Sequence, residues 1–313
     1  MQLLLGRRPA LLGEASFLVL PRPYAGGRGG APTGPRQTRN RANVSMPRHD
    51  FEDLPHAARQ SVESQIGRIK TARTAGGGMN SGIAAFVDSE RGQVFVKGIP
   101  SDHPQAVSQA REAAIAPHLP AASPQLLWRV EAGGWVLIGY EVIDGRHADY
   151  TDDADLDLVL DALQEVQQIT APDVPEIKRA ERRWAAYADG GTAELFAGTT
   201  LLHTDLAPHN TLIDGRAHMI DWAWPTQGAA FIDPHVLAVR LMEAGHSAED
   251  AVNWVQRVPS WRAATSAALL AFSTAAVRSW REIAEQDPQP WKVKMAGHAA
   301  ELEAHLHTIL GMR

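Results

Sequence analysis

The segment from residue 201 to 225 places several polar side chains between two short apolar stretches. The first stretch leads into His203, Asp205 and Asn210, and the second ends at Asp221. A carboxylate can accept the proton of an attacking hydroxyl group, and an amide oxygen together with a second carboxylate forms a hard-oxygen pair that suits Mg²⁺. This set of groups is therefore the one that phosphoryl transfer requires.

The spacing of these residues is more specific than their types. Asp205 follows His203 by two residues and Asn210 follows Asp205 by five, as in the catalytic loop of kinases. The turn dipeptide at 214–215 predicts a hairpin, so that Asp221 returns to the same end of the two strands. We expect Asp205 to act as the catalytic base and His203 to orient its loop. Asn210 and Asp221 would then bind Mg²⁺.

This pattern resembles the aminoglycoside phosphotransferase and choline-kinase branch of the protein-kinase-like superfamily, whose members often contain HxDxxxxN followed by IDW. Residues 203–210 are HTDLAPHN and residues 220–222 are IDW. The resemblance implies an α+β, two-lobe protein-kinase-like fold, with an N-terminal antiparallel sheet lobe and a mostly helical C-terminal lobe. It also implies ATP and Mg²⁺ as cofactors, and transfer of the γ-phosphate to a hydroxyl group of a small molecule.

A glycine-rich turn precedes two predicted strands, at 83–87 and 93–98. The turn contains Gly76, Gly77 and Gly78, and residues without a side chain let backbone amides approach phosphate oxygens closely. No Gly-Lys-Ser/Thr sequence follows, which excludes a Walker A loop. A flexible hairpin turn is the alternative, so these glycines indicate a phosphate site only in combination with the other motifs.

The second of these strands carries Lys97 among β-branched and aromatic neighbours. The resemblance implies that Lys97 binds the α- and β-phosphates of ATP. It also implies that Glu112, within a helix predicted over 101–119, pairs with this lysine. A solvated surface glutamate is the alternative for Glu112.

Two further strands are predicted at 125–130 and 134–138, and the second continues into a linker. The resemblance implies that this linker is the hinge between the lobes. Main-chain groups from Glu141 to Ile143 would then form hydrogen bonds with the adenine ring.

Apolar spacing predicts that most of the remaining chain is helical. Asp233 resembles the acid that braces the catalytic loop in the family, and a plain helix N-cap is the alternative. The predicted helices span 50–72, 156–169, 176–187, 234–244, 248–257, 261–281 and 291–310.

The predicted domain organisation has three parts. Residues 1–45 are rich in Pro, Gly and Arg and form a disordered leader, or a segment before a true start at Met46. Residues 46–140 form the nucleotide-binding lobe, and residues 141–313 form the catalytic and substrate lobe.

The net charge and the composition limit the classes of molecule that the protein is expected to bind. The leader holds seven arginines and one glutamate, a charge of +6, whereas the whole chain is at −6, which leaves −12 for residues 46–313. An acidic body argues against a nucleic-acid partner and favours a cationic acceptor, such as an aminoglycoside-like molecule or another amino-alcohol. The chain has no cysteine and no apolar run long enough to span a bilayer, so we expect a cytoplasmic protein without a membrane partner.

Two other functions use part of the same residues. A metal-dependent phosphoesterase could use His203, Asp205, His209 and Asp221 as ligands, but it would leave Lys97 without a role. A non-catalytic nucleotide-binding regulator could have the same fold. Such a regulator would usually have lost one of four residues, and all four are present here: Lys97, Asp205, Asn210 and Asp221.

Overall fold

A five-stranded antiparallel sheet forms the N-terminal lobe. The computed structural model describes residues 46–76 and 81–311, so the predicted leader and Gly77 and Gly78 lie outside the described residues. The strand order is β1-β2-β3-β5-β4. These strands are β1 (Ile69–Thr74), β2 (Ile83–Ser89), β3 (Gly92–Pro100), β4 (Leu126–Ala132) and β5 (Trp135–Tyr140).

Alternation of side chains across β3 explains how this sheet positions a lysine. Val94 and Val96 are buried in an apolar core that also contains Val62 and Ile66 of helix α1 (His56–Ile66). Because successive side chains in a strand point to opposite faces, Lys97 lies on the face away from α1. Helix α2 (Ala106–Ile115) packs near β3 and β5 and supplies its partner.

The C-terminal lobe is mostly helical, in agreement with the predicted fold class. Its core includes Phe272, whose ring makes edge contacts with Trp184, Phe196 and Phe231. The helices are α3 (Asp153–Val166), α4 (Ala180–Arg183), α5 (Ile232–Glu243), α6 (Ala248–Val255), α7 (Pro259–Ala263), α8 (Ser266–Gln286) and α9 (Pro290–Leu310). In the described part of the chain, no helix is both long and apolar enough to cross a membrane.

Two small sheets carry the segment from 200 to 228. One contains the predicted hairpin, in which β9 and β10 pair around Gly215, a turn residue with a φ of +95° that favours glycine. The other joins β8 and β11 in antiparallel fashion and β11 and β7 in parallel. The strands are β6 (Arg146–His147), β7 (Lys178–Arg179), β8 (Thr200–Leu202), β9 (Thr211–Ile213), β10 (Ala217–Met219) and β11 (Thr226–Gly228).

Four predicted helices are wrong in part. The helix expected over 101–119 begins only at Ala106. The helix expected over 50–72 ends at Ile66, because Gly67 has a φ of +79° and β1 pairs with β2 from Ile69 onward. The helix expected over 176–187 is replaced by β7 and the short α4. The helix expected over 261–281 is divided into α7 and α8. Pairing with distant residues overrides local preference at β1 and β7. The division between α7 and α8 is local, because Thr265 caps the start of α8.

Candidate active site

The loop after β8 is held by a carboxylate from α5. Asp233 is fully buried and accepts hydrogen bonds from the backbone amides of His203 (2.8 Å) and Thr204 (2.9 Å). Thr204 has a φ of +65°, an uncommon backbone conformation that these two bonds support. Asp233 therefore braces the loop, and the alternative role as an N-cap is wrong because α5 begins at Ile232 without a side-chain cap.

His203 is engaged at both ring nitrogens. Nδ1 accepts the backbone amide of Asp205 at 3.2 Å, and Nε2 lies 2.9 Å from the carbonyl oxygen of Ile220. A carbonyl oxygen only accepts hydrogen bonds, so Nε2 is the donor in this contact. The ring also packs against Trp222. His203 thus ties the loop of Asp205 to the end of the hairpin.

Asp205, which the sequence predicts as the base, is paired with an arginine that sequence analysis did not single out. Arg240 of α5 donates from Nη2 to Oδ1 of Asp205 at 3.1 Å and from Nη1 to Glu243 at 2.7 Å. Although burial opposes the charge, Asp205 and Glu243 raise the pKa of Arg240 above its ordinary value. The signal in the sequence is a lone arginine between apolar residues of α5, which rarely stays buried without a carboxylate partner.

Asn210 and Asp221 lie beside each other at the ends of the hairpin strands. The amide of Ile220 donates to the carbonyl oxygen of Asn210 at 2.9 Å, and Asn210 Nδ2 donates to the carbonyl oxygen of Asp205 at 3.0 Å. This second bond uses the amide nitrogen and leaves Oδ1 of Asn210 available. Asp221 has a φ of +62° and a partly exposed carboxylate. An amide oxygen and a carboxylate are ligands that fit Mg²⁺.

Lys97 connects the two lobes through two carboxylates. Its Nζ lies 2.7 Å from Glu112 of α2 and 3.0 Å from Asp221. Burial lowers the pKa of Lys97, but Asp221 and Glu112 outweigh this and raise it above its ordinary value. The pKa of Asp221 is lowered, because Lys97 outweighs the effect of burial. A charged lysine, Glu112 and one metal-ligand candidate therefore meet at one point.

The other predicted nucleotide contacts lie at two places near the sheet. Gly76 lies two residues after the end of β1. Glu141 follows β5; its amide donates to the carbonyl of Gln125 at 3.0 Å, and its Oε1 accepts the amide of Gln125 at 2.8 Å. Ile143 is partly buried in the linker. Among the described residues, no hydrogen bond links Gly76, Glu141 or Ile143 to Lys97.

The ligand set of a metal phosphoesterase is not assembled. Within residues 46–76 and 81–311, no three His, Asp or Glu side chains form a group that could hold a metal ion. Both nitrogens of His203 are occupied by the loop itself. This geometry argues against the alternative in which His203, Asp205, His209 and Asp221 are metal ligands.

Solved structures with the same architecture are numerous. Choline kinase LicA from Streptococcus pneumoniae aligns with a TM-score of 0.51 at 14% identity, over 79% of this chain and 98% of that chain. A thermostable mutant of aminoglycoside phosphotransferase APH(4)-Ia, in ternary complex with AMP-PNP and hygromycin B, aligns with a TM-score of 0.51 at 15% identity, over 80% of this chain and 98% of that chain. The chain has a protein-kinase-like fold.

A third neighbour extends the same likeness. The aminoglycoside phosphotransferase from Alicyclobacillus acidocaldarius aligns with a TM-score of 0.51 at 12% identity, over 81% of this chain and 96% of that chain. No protein-family model matches the sequence, and no curated protein matches it. The kinase-like likeness at this identity is one of fold, and it agrees with the branch that the HxDxxxxN and IDW motifs resemble.

Proposed function

We propose that this protein is an ATP-dependent phosphotransferase that moves the γ-phosphate of ATP to a hydroxyl group of a small molecule. The observation that carries the proposal is the contact of Lys97 with both Glu112 and Asp221. A phosphate-binding lysine must lie next to a metal ligand if both act on the same phosphates. The solved neighbours support the nucleotide, because LicA was determined with AMP and APH(4)-Ia with AMP-PNP.

The chain's own residues would divide the reaction among them. Lys97 would bind phosphate oxygens, and Asn210 and Asp221 would hold Mg²⁺, which when bound neutralises charge on the phosphates. Asp205 would accept the proton of the acceptor hydroxyl as its oxygen attacks the γ-phosphorus, while ADP leaves. Arg240 fixes the Asp205 carboxylate through one oxygen. Catalysis would consist mainly of positioning and electrostatic stabilisation.

Adenine recognition would use the linker after β5. The amide of Glu141 is already bonded to Gln125, so it is not available to the ring. We infer that the carbonyl of Glu141 and the amide of Ile143 make the contacts, since neither has a backbone partner among the described hydrogen bonds. The turn with Gly76, Gly77 and Gly78 would cover the phosphates.

The acceptor would reach Asp205 from the side of the C-terminal helices. A small cavity there is lined by Asp205 and by the apolar side chains of Trp184, Trp280 and Met295. The acidic body supports an aminoglycoside-like or other amino-alcohol acceptor rather than a nucleic-acid partner. The proposed location is cytoplasmic. The acceptor class is the part of the proposal that experiment must supply.

The test measures ADP release by purified protein with ATP and Mg²⁺ across aminoglycosides, amino-alcohols and neutral alcohols. Asp205→Asn keeps an acceptor oxygen for Arg240, and Asp161→Asn on the exposed face of α3 is the matched control. We expect acceptor-dependent turnover that falls by about 10²–10⁴-fold in Asp205→Asn, with unchanged ATP affinity. ATP binding without turnover would favour the regulator, and absence of ATP binding would contradict the kinase.

A further inference from the structure

Three basic side chains surround one indole ring behind the catalytic loop. The Lys178 Nζ lies 5.0 Å from the centroid of Trp224, and the guanidinium carbons of Arg111 and Arg183 lie 5.6 Å and 5.9 Å from it. The three residues come from β7, α2 and α4, so distant parts of the chain bring them together. We call them, with Trp224, the cationic cluster.

Among the described residues, no carboxylate makes a direct ion pair with this cluster, although Asp205 and Asp233 act on Arg183 and Glu176 acts on Arg111 from a greater distance. Arg183 donates from Nη1 to the hydroxyls of Thr204 and Thr226, both at 2.7 Å, which are neutral acceptors. No ion pair joins Arg111, Lys178 or Arg183 to a carboxylate in the described part of the chain. Burial, with repulsion from Arg183 and Arg111, lowers the pKa of Lys178 to about 7. Burial lowers the pKa of Arg183 to about 10, although Asp205 and Asp233 oppose this shift.

Two N–H groups of the cluster are buried without a hydrogen-bond partner among the described residues. They are Nη2 of Arg183 and Nε of Arg111. Arg183 is 8% exposed, so most of its guanidinium is removed from water. Leaving a charged donor unpaired inside a protein is costly. Such groups are the ones that an incoming oxyanion would satisfy.

An open cavity of about 420 Å³ is lined by Arg183 and Lys178 of the cluster, whereas Arg111 is not one of its lining residues. Lys178, Arg179, Arg182 and Arg183 line it, and among its described lining residues the one carboxylate is Asp173. The cavity lining therefore has an excess of positive charge, whereas residues 46–313 as a whole have a negative net charge. The cavity has the size and the charge of a site for a small anion.

We propose that this cavity and the cationic cluster bind a multivalent oxyanion, a phosphate or carboxylate group, at a site separate from that of Lys97. Guanidinium groups present N–H donors in a planar fork that matches such oxyanions, and Lys178 adds a point charge. The anion could be a group carried by the acceptor or a free anion that binds beside it. In either case the anion would bind next to Arg183, whose guanidinium group donates to Thr204 of the catalytic loop.

Calorimetric titration with inorganic sulfate, in the presence of Mg²⁺ and AMP-PNP, tests the site without any requirement for turnover. Lys178→Gln and Arg111→Gln remove one cation each, and Arg281→Gln on the exposed face of α8 removes the same charge elsewhere. We expect the Kd for sulfate to rise by about tenfold in Lys178→Gln, the loss of one charge-assisted hydrogen bond. It should rise by less in Arg111→Gln, whose side chain does not line the cavity, and stay unchanged in Arg281→Gln. Lys178→Arg keeps the charge and should retain binding, which separates lost contacts from misfolding.

Several results would overturn the proposal. These are an absence of sulfate binding, an equal Kd in the wild type and the cluster variants, or a loss of binding in Lys97→Met alone. In the last case sulfate would occupy the nucleotide phosphate site instead. Where sulfate binds and turnover is found, competition of sulfate with the acceptor assigns the anion to the acceptor. An effect of sulfate on kcat without competition assigns it to a free anion.

Discussion

Arg240 and Asp205 form a buried ion pair in which Nη2 of the arginine lies 3.1 Å from Oδ1 of the carboxylate. The same guanidinium holds Glu243 one turn further along α5. One oxygen of Asp205 is therefore fixed by a charged donor. In the proposed reaction the other oxygen would meet the acceptor hydroxyl.

Replacing Arg240 should impair stability and turnover together. Arg240→Gln leaves Asp205 and Glu243 without their cation, and breaking a buried pair typically costs about 3–5 kcal/mol. We expect a loss of this size in the free energy of unfolding, measured by urea denaturation, and slower turnover with unchanged ATP affinity. Arg278→Gln is the control, since its pair with Asp189 is exposed and should contribute about 1 kcal/mol or less. Equal stability of the two variants would contradict this role.

The brace formed by Asp233 predicts a local effect on the catalytic loop. Asp233→Asn retains one acceptor oxygen but turns an amide group toward the other backbone N–H. We expect the free energy of unfolding to fall by about 2 kcal/mol. Hydrogen exchange should accelerate at the amides of His203 and Thr204. Unchanged protection of these two amides would show that the loop holds its conformation without the brace.

The contact of Lys97 with Glu112 predicts strong coupling between the two side chains. We expect Lys97→Met and Glu112→Gln to destabilise the protein separately, and the double variant to be less destabilised than the sum. The coupling should reach about 1–3 kcal/mol, because either single change leaves the other side chain buried without its ion-pair partner. Chemical denaturation of the four proteins measures it. Additive effects would mean that Asp221 alone accounts for the position of Lys97.

His235 predicts a pH dependence of stability. Its ring is fully buried against Phe272, and burial lowers its pKa to about 3. The unfolded chain binds this proton below about 6.5 and the folded chain does not, so stability rises with pH between about 3 and 6.5 and is complete above it. His235→Phe should flatten this limb, with a gain relative to wild type of about 2 kcal/mol at pH 5 compared with pH 8. Parallel pH profiles of the two proteins would exclude the effect.

Lys178 predicts a pH dependence of anion binding. With a pKa of about 7, its ammonium is charged below this pH and neutral above it, whereas Arg111 and Arg183 stay charged throughout. Sulfate keeps its two charges in this range, so its affinity should fall by about tenfold as pH rises from 6 to 9. Calorimetry should give a flat profile for Lys178→Arg, and a flat wild-type profile would count against the site.

Much of the fold could be predicted because the relevant signals are local. The strands β2 and β3 and the hairpin around Gly215 each follow from short-range sequence pattern. The region 176–187 could not be predicted in this way. Its strand β7 exists because Lys178 pairs with Thr226, and a helical pattern in the sequence carries no information about a partner so far along the chain.

The residues of the candidate site also fall into two groups, those that local sequence identifies and those that only the tertiary structure identifies. The motif residues His203, Asp205, Asn210 and Asp221 could be named in advance, since their spacing is itself the signal. Arg240 and Arg183 could not, because a single arginine in a helix looks the same whether it is solvated or paired. Only the tertiary arrangement brings Arg240 to Asp205 and Arg183 to Thr204.

Arg111 and Glu112 are neighbours on α2, and they take part in different contacts. Glu112 holds the lysine proposed to bind nucleotide, and Arg111 belongs to the cationic cluster. A rigid helix cannot shift one of them without the other. If an anion at the cluster tightens the nucleotide site by some factor, thermodynamic reciprocity requires the nucleotide to tighten the anion site by the same factor. Through α2, binding of either ligand would then change the affinity of the protein for the other.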